Sequence, residues 1–237
     1  MIAAALSLIA VLYAAVGHGG ASGYLAVMAL AGFEPAVMKP TALTLNLIVS
    51  LIGTVMFFRA GHFAWRLFWP FAVVSVPFAF LGGRLGLGAQ EFRLLVAVAL
   101  AFAAVRLLIP TTAKEKFRSP PVWAIVLAGA SIGFASGLIG VGGGIFLTPL
   151  ILLCGWADTK TAAAVSAPFI FVNSAAGLLG HVKSLHNIPP SWLLWAAAVM
   201  VGGFIGSRWG SRIAQPSHLR RTLAVVLVVA VAKLLTV

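Results

Sequence analysis

Two glycine-rich runs, Gly17-His18-Gly19-Gly20-Ala21-Ser22-Gly23 and Gly140-Val141-Gly142-Gly143-Gly144, interrupt two long apolar segments at matching places in the chain. Glycine weakens the interior of a helix, so a lipid-facing helix gains nothing from such a run. Paired glycine interruptions in corresponding apolar segments are the sequence feature that points to the binding site of a secondary transporter. The two runs therefore predict a chain of two related halves, with a site where the runs meet.

The composition around these runs is that of a membrane protein. Of the 237 residues, 62% are hydrophobic and 8% are charged, whereas soluble domains carry about 25% charged residues. A helix of about 20 apolar residues crosses a bilayer. Pro40 is predicted at the first helical position of the second segment, where proline is tolerated. The predicted apolar segments are 2–31, 38–58, 64–87, 92–110, 122–153, 161–182, 190–211 and 219–237.

The net charge of +12 raises the question whether the protein binds nucleic acid. A nucleic-acid-binding surface is a basic patch on one folded face, but the sixteen Lys and Arg are scattered singly through short loops. Such charges set membrane topology. The sequence therefore predicts the lipid bilayer as a partner and no nucleic acid.

The two halves align with each other. An offset of 123 residues superimposes the glycine runs, and with one insertion 80–86 (FLGGRLG) falls on 204–210 (FIGSRWG). The ends of the halves, 105–108 and 232–235, also align. The predicted division is an N-terminal transmembrane repeat at 1–110, a cytoplasmic linker at 111–121 and a C-terminal transmembrane repeat at 122–237.

The first and fifth segments are about 30 residues long, which exceeds one untilted crossing. Each is either a single bent helix or a re-entrant hairpin folded at its glycines. If both enter and return, eleven of the sixteen Lys and Arg lie on one side of the membrane; if both cross, the division is equal. The positive-inside rule favours the hairpins. Each half then crosses the membrane three times, and because three is an odd number, the repeats are inverted. The predicted location is the inner (plasma) membrane, with multiple passes.

Backbone that leaves a helix inside a membrane is buried in protein or lines a cavity. A new helical leg is predicted to begin near Ala21 and near Gly144, with unpaired N–H groups at the positive end of its dipole. Two such ends directed at one point form an anion site. The alternative is that the glycines only permit close helix packing. The predicted substrate-binding residues of the runs are Gly19, Gly20, Ala21, Ser22, Gly142, Gly143, Gly144 and Ile145.

Few polar residues lie inside the predicted spans. Thr44 and Asn46 lie on the second segment, and Ser166 and Asn173 lie on the sixth. Hydroxyl and amide groups suit an anion that is held by hydrogen bonds, so these four are further substrate-binding candidates. The alternative is that the hydroxyls bond back to their own helices.

All four acidic residues of the chain lie in or next to predicted loops. A carboxylate proton relay, a carboxylate-held sodium ion and two-metal hydrolysis therefore lack their residues. The sequence predicts no catalytic residues, no metal, no cofactor and no enzyme activity.

His18, inside the first run, has no counterpart in the second run, where Val141 stands. Histidine titrates near neutral pH, so His18 is a candidate for proton coupling. The alternative is a neutral histidine bonded to a loop carbonyl.

The Gly-x-Gly-Gly-Gly run and the Thr-Pro pair that follows it (140–149) resemble the TauE/SafE sulfite exporter family. The preceding GFASGLI (133–139) and the Trp65-Arg66 start of the third segment fit the same pattern. The resemblance covers essentially the whole chain and implies a polytopic permease for sulfite, sulfonates or related organosulfur anions. His18 and Ala21-Ser22 depart from the pattern because they interrupt the glycines of the first half.

These observations together predict a secondary transporter, and specifically an exporter, of a small sulfur-containing anion that works by alternating access around a midplane site. A passive anion channel would share that site. A non-transport membrane subunit or an intramembrane enzyme is the alternative from another class; the few carboxylates and the absence of a long docking loop count against both.

Overall fold

The computed structural model describes residues 1–108 and 117–212, together with 228, 231 and 232. Most of the linker 111–121, most of the eighth predicted segment (219–237) and most of the aligned stretch 232–235 lie outside these residues. A 3₁₀ helix, Val182–Asn187, connects the last two helices. The α-helices in the described part are α1 (Ile2–Ala14), α2 (Ala21–Leu30), α3 (Pro35–Arg59), α4 (Trp65–Arg84), α5 (Ala89–Leu108), α6 (Val122–Ile139), α7 (Gly144–Cys154), α8 (Thr159–Gly180) and α9 (Trp192–Arg212).

The described residues form helices and no strands. By length and composition α3, α4, α6, α8 and α9 can cross a membrane. Large apolar side chains on the outer faces of these helices, such as Trp69, Trp123 and Leu193, are 61 to 72% exposed. Such exposure suits a lipid environment, so the prediction of an all-α membrane protein is confirmed.

The predicted start of the second segment was wrong. Helix α3 begins at Pro35, and Pro40 lies inside it. Because proline has no N–H, Pro40 leaves the carbonyl of Ala36 without its helical donor. The side-chain amide of Asn187 donates to that carbonyl at 3.4 Å, and Pro35 occupies the first helical position instead.

Asp158 caps the start of α8. Its Oδ1 accepts a hydrogen bond from the backbone N–H of Thr161 at 2.9 Å. Burial acts to raise the pKa of Asp158, but the hydrogen bonds from Thr161 and Lys160 outweigh it and the pKa is lowered. The charged cap also interacts favourably with the positive end of the α8 dipole.

Left-handed backbone separates α1 from α2 and α6 from α7. We call residues 15–20 the first glycine tip and residues 140–143 the second glycine tip. A Gly in the left-handed region precedes each new helix, because Gly20 caps α2 and Gly143 caps α7. Residues with a side chain rarely adopt this conformation. The glycines with positive φ in the tips are Gly17, Gly20, Gly140, Gly142 and Gly143.

A glycine stripe joins α6 to α4. Gly129, Gly133 and Gly137 recur every fourth residue on α6 and face the backbone of α4. A Cβ added at Gly133 or Gly137 would overlap the carbonyl oxygen of Ser75 or Ala79, respectively. The contacts advance in the same direction along both helices, so α4 and α6 are parallel. Their backbones touch, as in small-residue packing within membranes.

The same arrangement joins α9 to α1. Gly202, Gly206 and Gly210 form the stripe on α9, and a Cβ at Gly206 or Gly210 would overlap the carbonyl oxygen of Val11 or Ala15. Helices α1 and α9 are therefore also parallel. Each pair joins a helix of the first half to a helix of the second half.

The remaining contacts sort the helices into two groups. Helices α1, α3 and α9 run in one direction, and α4, α6 and α8 run in the opposite direction; α3 and α8 are the antiparallel helices where the groups meet. The pairs that fix these directions are Asn46 with Ser174 and Gly53 with Ala167 between α3 and α8, Thr44 with Trp192 and Gly53 with Ser207 between α3 and α9, and Ser75 with Asn173 and Gly83 with Gly177 between α4 and α8.

Replacing a glycine of the α6 stripe should separate α4 from α6. We expect Gly137→Val to lower the free energy of unfolding by about 1–3 kcal/mol, the usual result of overpacking. The measurement is thermal unfolding of the purified protein in detergent. Gly86→Val is the matched control, since Gly86 has open space around it and no positive φ. Equal melting temperatures for the two variants would contradict the close backbone contact.

Candidate functional site

The two glycine tips meet at the side chain of Asn46. This amide lies on α3 and is 1% exposed. Its Oδ1 accepts a hydrogen bond from the N–H of Ala21 at 3.2 Å, and its Nδ2 donates to Oγ of Ser174 at 2.8 Å. One amide thus connects the start of α2 with α8.

Both tips touch this amide through glycines. A Cβ at Gly19 would overlap Oδ1 of Asn46, and a Cβ at Gly142 would overlap Nδ2 of Asn46. The Cβ position of Gly142 also lies 3.0 Å from Oγ of Ser174. The absence of side chains is therefore what allows the tips to approach the same group from two sides.

His18 ties the first tip to the beginning of α7. Its Nε2 lies 3.1 Å from the carbonyl oxygen of Gly144 and 3.0 Å from Oγ1 of Thr148. Because a carbonyl only accepts, Nε2 carries a proton in this arrangement. Thr148 in turn donates to Oγ of Ser166 at 2.7 Å, so a chain of three polar side chains runs from the first half into the second.

Backbone donors are concentrated where the tips meet. The first N–H to find an acceptor within α2 is that of Tyr24, bonded to Gly20, and in α7 it is that of Phe146, bonded to Gly143. The preceding N–H groups of each helix have no intrahelical acceptor. Among them the N–H of Ala21 is taken up by Asn46. The positive ends of both helix dipoles are thus directed into the same region.

Among the described residues, no negative side chain lies near the tips. Within the described residues the acids are Glu34, Glu91 and Asp158, which lie at helix starts or in connections. No group of three His, Cys, Asp or Glu among the described residues is placed to hold a metal ion. The region offers hydrogen-bond donors and positive dipole ends, which suits an anion.

The structure brings most of the predicted site residues together. Those at or next to the junction are His18, Gly19, Gly20, Ala21, Ser22, Asn46, Gly142, Gly143, Gly144, Ile145 and Ser166.

Two predicted residues face elsewhere. Thr44 donates to carbonyls of its own helix and accepts from Nε1 of Trp192 at 2.9 Å. Asn173 donates to Oγ of Ser75 at 3.0 Å and to the carbonyl of Phe169. A role of either residue in binding stays a prediction.

Sequence reasoning missed several polar neighbours of the tips. Thr148 and Ser174 bond to His18 and Asn46, and Tyr24 donates to the carbonyl of Gly19 at 2.9 Å. Ser136 is fully buried next to Gly143, and its hydroxyl has no partner within the described residues. A list of all Ser and Thr residues inside the predicted apolar segments would have included Ser136, Thr148 and Ser174.

The family model for Sulfite exporter TauE/SafE matches residues 2–234. The chain belongs to this family. A protein of Sinorhizobium fredii, named a probable membrane transporter protein, is 41% identical over 99% of this chain and 97% of its own length. A protein of Xylella fastidiosa strain Temecula1 with the same description is 28% identical over 81% of this chain and 75% of its own length. Another, from Methanocaldococcus jannaschii, is 24% identical over 79% of this chain and 74% of its own length. No solved structure matches the chain significantly.

Membership of the TauE/SafE family makes this chain a multi-pass membrane transporter. The names of the relatives indicate a transporter, which is consistent with the prediction of no enzyme activity. The resemblance inferred from the glycine run and the Thr-Pro pair is thereby confirmed.

The bridging role of Asn46 is testable by stability. We expect Asn46→Ala to lower the free energy of unfolding by about 1–3 kcal/mol, because it leaves the buried N–H of Ala21 and hydroxyl of Ser174 unpaired. Thermal unfolding in detergent measures the change. Thr54→Val is the control on the same helix, since Thr54 bonds only to the carbonyl of Ser50. An Asn46→Ala protein as stable as Thr54→Val would show that the tips do not depend on this amide.

Proposed function

We propose that this protein is a secondary transporter of small sulfur-containing anions such as sulfite or sulfonates, and that it exports them across the inner (plasma) membrane. The observation that carries the proposal is the meeting of two helix N-termini, one from each half, at a buried amide that lies inside an apolar molecule. Family membership supports the same substrate class.

The helix directions support inverted repeats. Helix α1 is parallel to α9 and antiparallel to α6, its counterpart in the second half. In a membrane, α1 with α2 and α6 with α7 then form re-entrant hairpins that enter from opposite sides and meet near the midplane. The repeats are 1–110 and 122–237, with a cytoplasmic linker at 111–121.

Backbone N–H groups suit an oxyanion at such a depth. A buried lysine or arginine would carry a large desolvation penalty when the site is empty, whereas helix dipole ends supply partial charge without it. The proposed donors are N–H groups around Gly19–Ser22 and Gly142–Ile145. Asn46 and Ser166 assist them, because both lie at the junction.

The packing also suggests which parts move. The glycine stripes hold α1 to α9 and α4 to α6 by direct backbone contact, so each tight unit contains helices of both halves. Alternating access then consists of a rocking of the α1–α3–α9 group against the α4–α6–α8 group, with the tips at the boundary. This division is favoured over a rocking of the two sequence halves.

Flux of labelled sulfite into proteoliposomes of the purified protein tests the function. We expect saturable uptake that is inhibited by some members of the series taurine, sulfoacetate, thiosulfate and sulfate. Gly143→Leu should abolish uptake, because Gly143 has φ +82° and its Cβ position lies 3.0 Å from side-chain atoms of Ile132 and Phe169.

Gly61→Leu is the matched control for that variant, because Gly61 also has a positive φ but has open space around it. Unfolding temperatures show whether both proteins fold. Sulfite flux that is absent under every pH gradient would remove sulfite from the proposal. Flux that rises linearly without saturation would identify a passive anion channel instead.

Proton coupling through His18 has its own test. His18 lies at the junction and is bonded to Thr148, which leads to Ser166. We expect His18→Ala to abolish the dependence of flux on the pH gradient, since the titratable group of the tip is removed. The exposed His186 supplies the control His186→Ala. Unchanged pH dependence in His18→Ala would exclude this role.

A further inference from the structure

A cavity of about 420 Å³ lies where α3 begins and α4 and α8 end. It is separate from the Asn46 junction, and none of the tip residues lines it. Three of its lining residues carry basic side chains, and one lining residue comes from α6 just before the second tip. The residues that matter for its chemistry are Glu34, Lys39, Arg93, Leu138, His181 and Ser184.

Lys39 is the unusual member of this set, since its side chain is only 4% exposed. Its Nζ has three N–H donors, and the structure provides one long hydrogen bond of 3.4 Å, to the carbonyl of Gly83. No carboxylate of the described residues pairs with it. A buried ammonium without a counter-charge is strongly disfavoured unless another group supplies one.

The other charges of the cavity do not supply that counter-charge. Glu34 is exposed, and Arg93 adds a second, partly buried positive charge. Burial, and then the charge of Lys39, lower the pKa of His181, which lies just after α8, so its imidazole is neutral at pH 7. The cavity therefore has a net positive charge and neutral hydrogen-bonding groups beside its buried cation.

Lys39 also contacts the second glycine tip. Its Cγ lies 3.1 Å from the Cβ position of Gly140, the residue at which α6 ends. The cavity is therefore adjacent to the segment that carries the second set of N–H donors.

Among the described residues of the second half, no buried cation lies near the start of α8. Thr161 lies in the first turn of α8, and its hydroxyl donates to a carboxylate oxygen of Asp158. The cavity that Thr161 lines, of about 310 Å³, has two arginines, Arg66 and Arg118, and both are exposed. Within the part of the chain that the structure describes, the buried charge is therefore found at one end only.

We infer that the Lys39 cavity is a second binding site for a small sulfur oxyanion, in which the anion is the counter-ion of Lys39 and Arg93 lies at the rim. The inference rests on the proposed function, because it takes the transported anion as the ligand. It makes the protein asymmetric: an anion is held at one end before or after it occupies the tips, and the other end has no equivalent site.

Sulfite binding to the purified full-length protein, measured by calorimetry in phosphatidylcholine nanodiscs, tests this site. Wild type should bind sulfite at two sites, of which Lys39→Met removes one and Asn46→Ala removes the other. In proteoliposomes Lys39→Met should raise the KM for sulfite about tenfold, the effect of losing one charge-assisted hydrogen bond. Lys39→Arg should retain most of the affinity, and Arg66→Met, in the opposite cavity, should leave KM and binding unchanged.

Sulfite binding by Lys39→Met with wild-type affinity and stoichiometry would overturn the inference. Loss of cavity binding in phosphatidylglycerol nanodiscs would also overturn it, because a lipid headgroup would then be the occupant. If Lys39→Met does not fold, Arg93→Met serves in its place, with a smaller expected loss of about threefold; an unchanged dissociation constant then contradicts the site. The proposed function fails separately, if wild type binds sulfite at the cavity but does not transport it.

Discussion

Two glycine tips, one from each half of the chain, approach the same buried amide of Asn46. A side chain at Gly19 or Gly142 would overlap the amide of Asn46, and without that amide the N–H of Ala21 and the hydroxyl of Ser174 would lose their partners. Unpaired polar groups are most costly where water is absent. The helices must therefore hold the two tips at this separation.

Helix packing through glycine holds the two tips at this separation. Within a bilayer the hydrophobic effect does not drive helices together, so association depends on van der Waals contact and hydrogen bonds. The stripes on α6 and α9 allow backbone to touch backbone, and a rigid contact of this kind fixes both the distance and the rotation of the helices. Because each stripe joins helices of different halves, neither half has its closest helix partners within itself.

The glycine tips and the Lys39 cavity differ in how they carry positive charge. The tips use dipole ends and amide groups and contain no ionised residue in the described part of the chain, whereas Lys39 places a formal charge in a cavity at one end. A helix dipole end needs no counter-ion when the site is empty, whereas a buried ammonium group does. In our proposal the two regions bind the same class of ion by different means.

Much of the architecture could be predicted from the residues alone. The all-α membrane class follows from composition, since only helices and closed barrels satisfy the backbone in lipid. The glycine runs mark the residues where α2 and α7 begin, because glycine tolerates the left-handed cap that precedes them. The family resemblance follows from the Gly-rich run and the Thr-Pro pair.

The partners of individual polar groups were decided by tertiary structure. Thr44 and Asn46 are two residues apart and therefore point to different sides of α3, so only one of them can face the tips. The sequence does not show which one, because the rotation of α3 is set by its contacts with α8 and α9. The contact of His18 with Thr148 joins residues 130 positions apart. Sequence alone determined the class of the molecule and the location of its non-helical, left-handed backbone, because both depend on local composition. The site itself was decided by packing between distant helices, which no local pattern encodes.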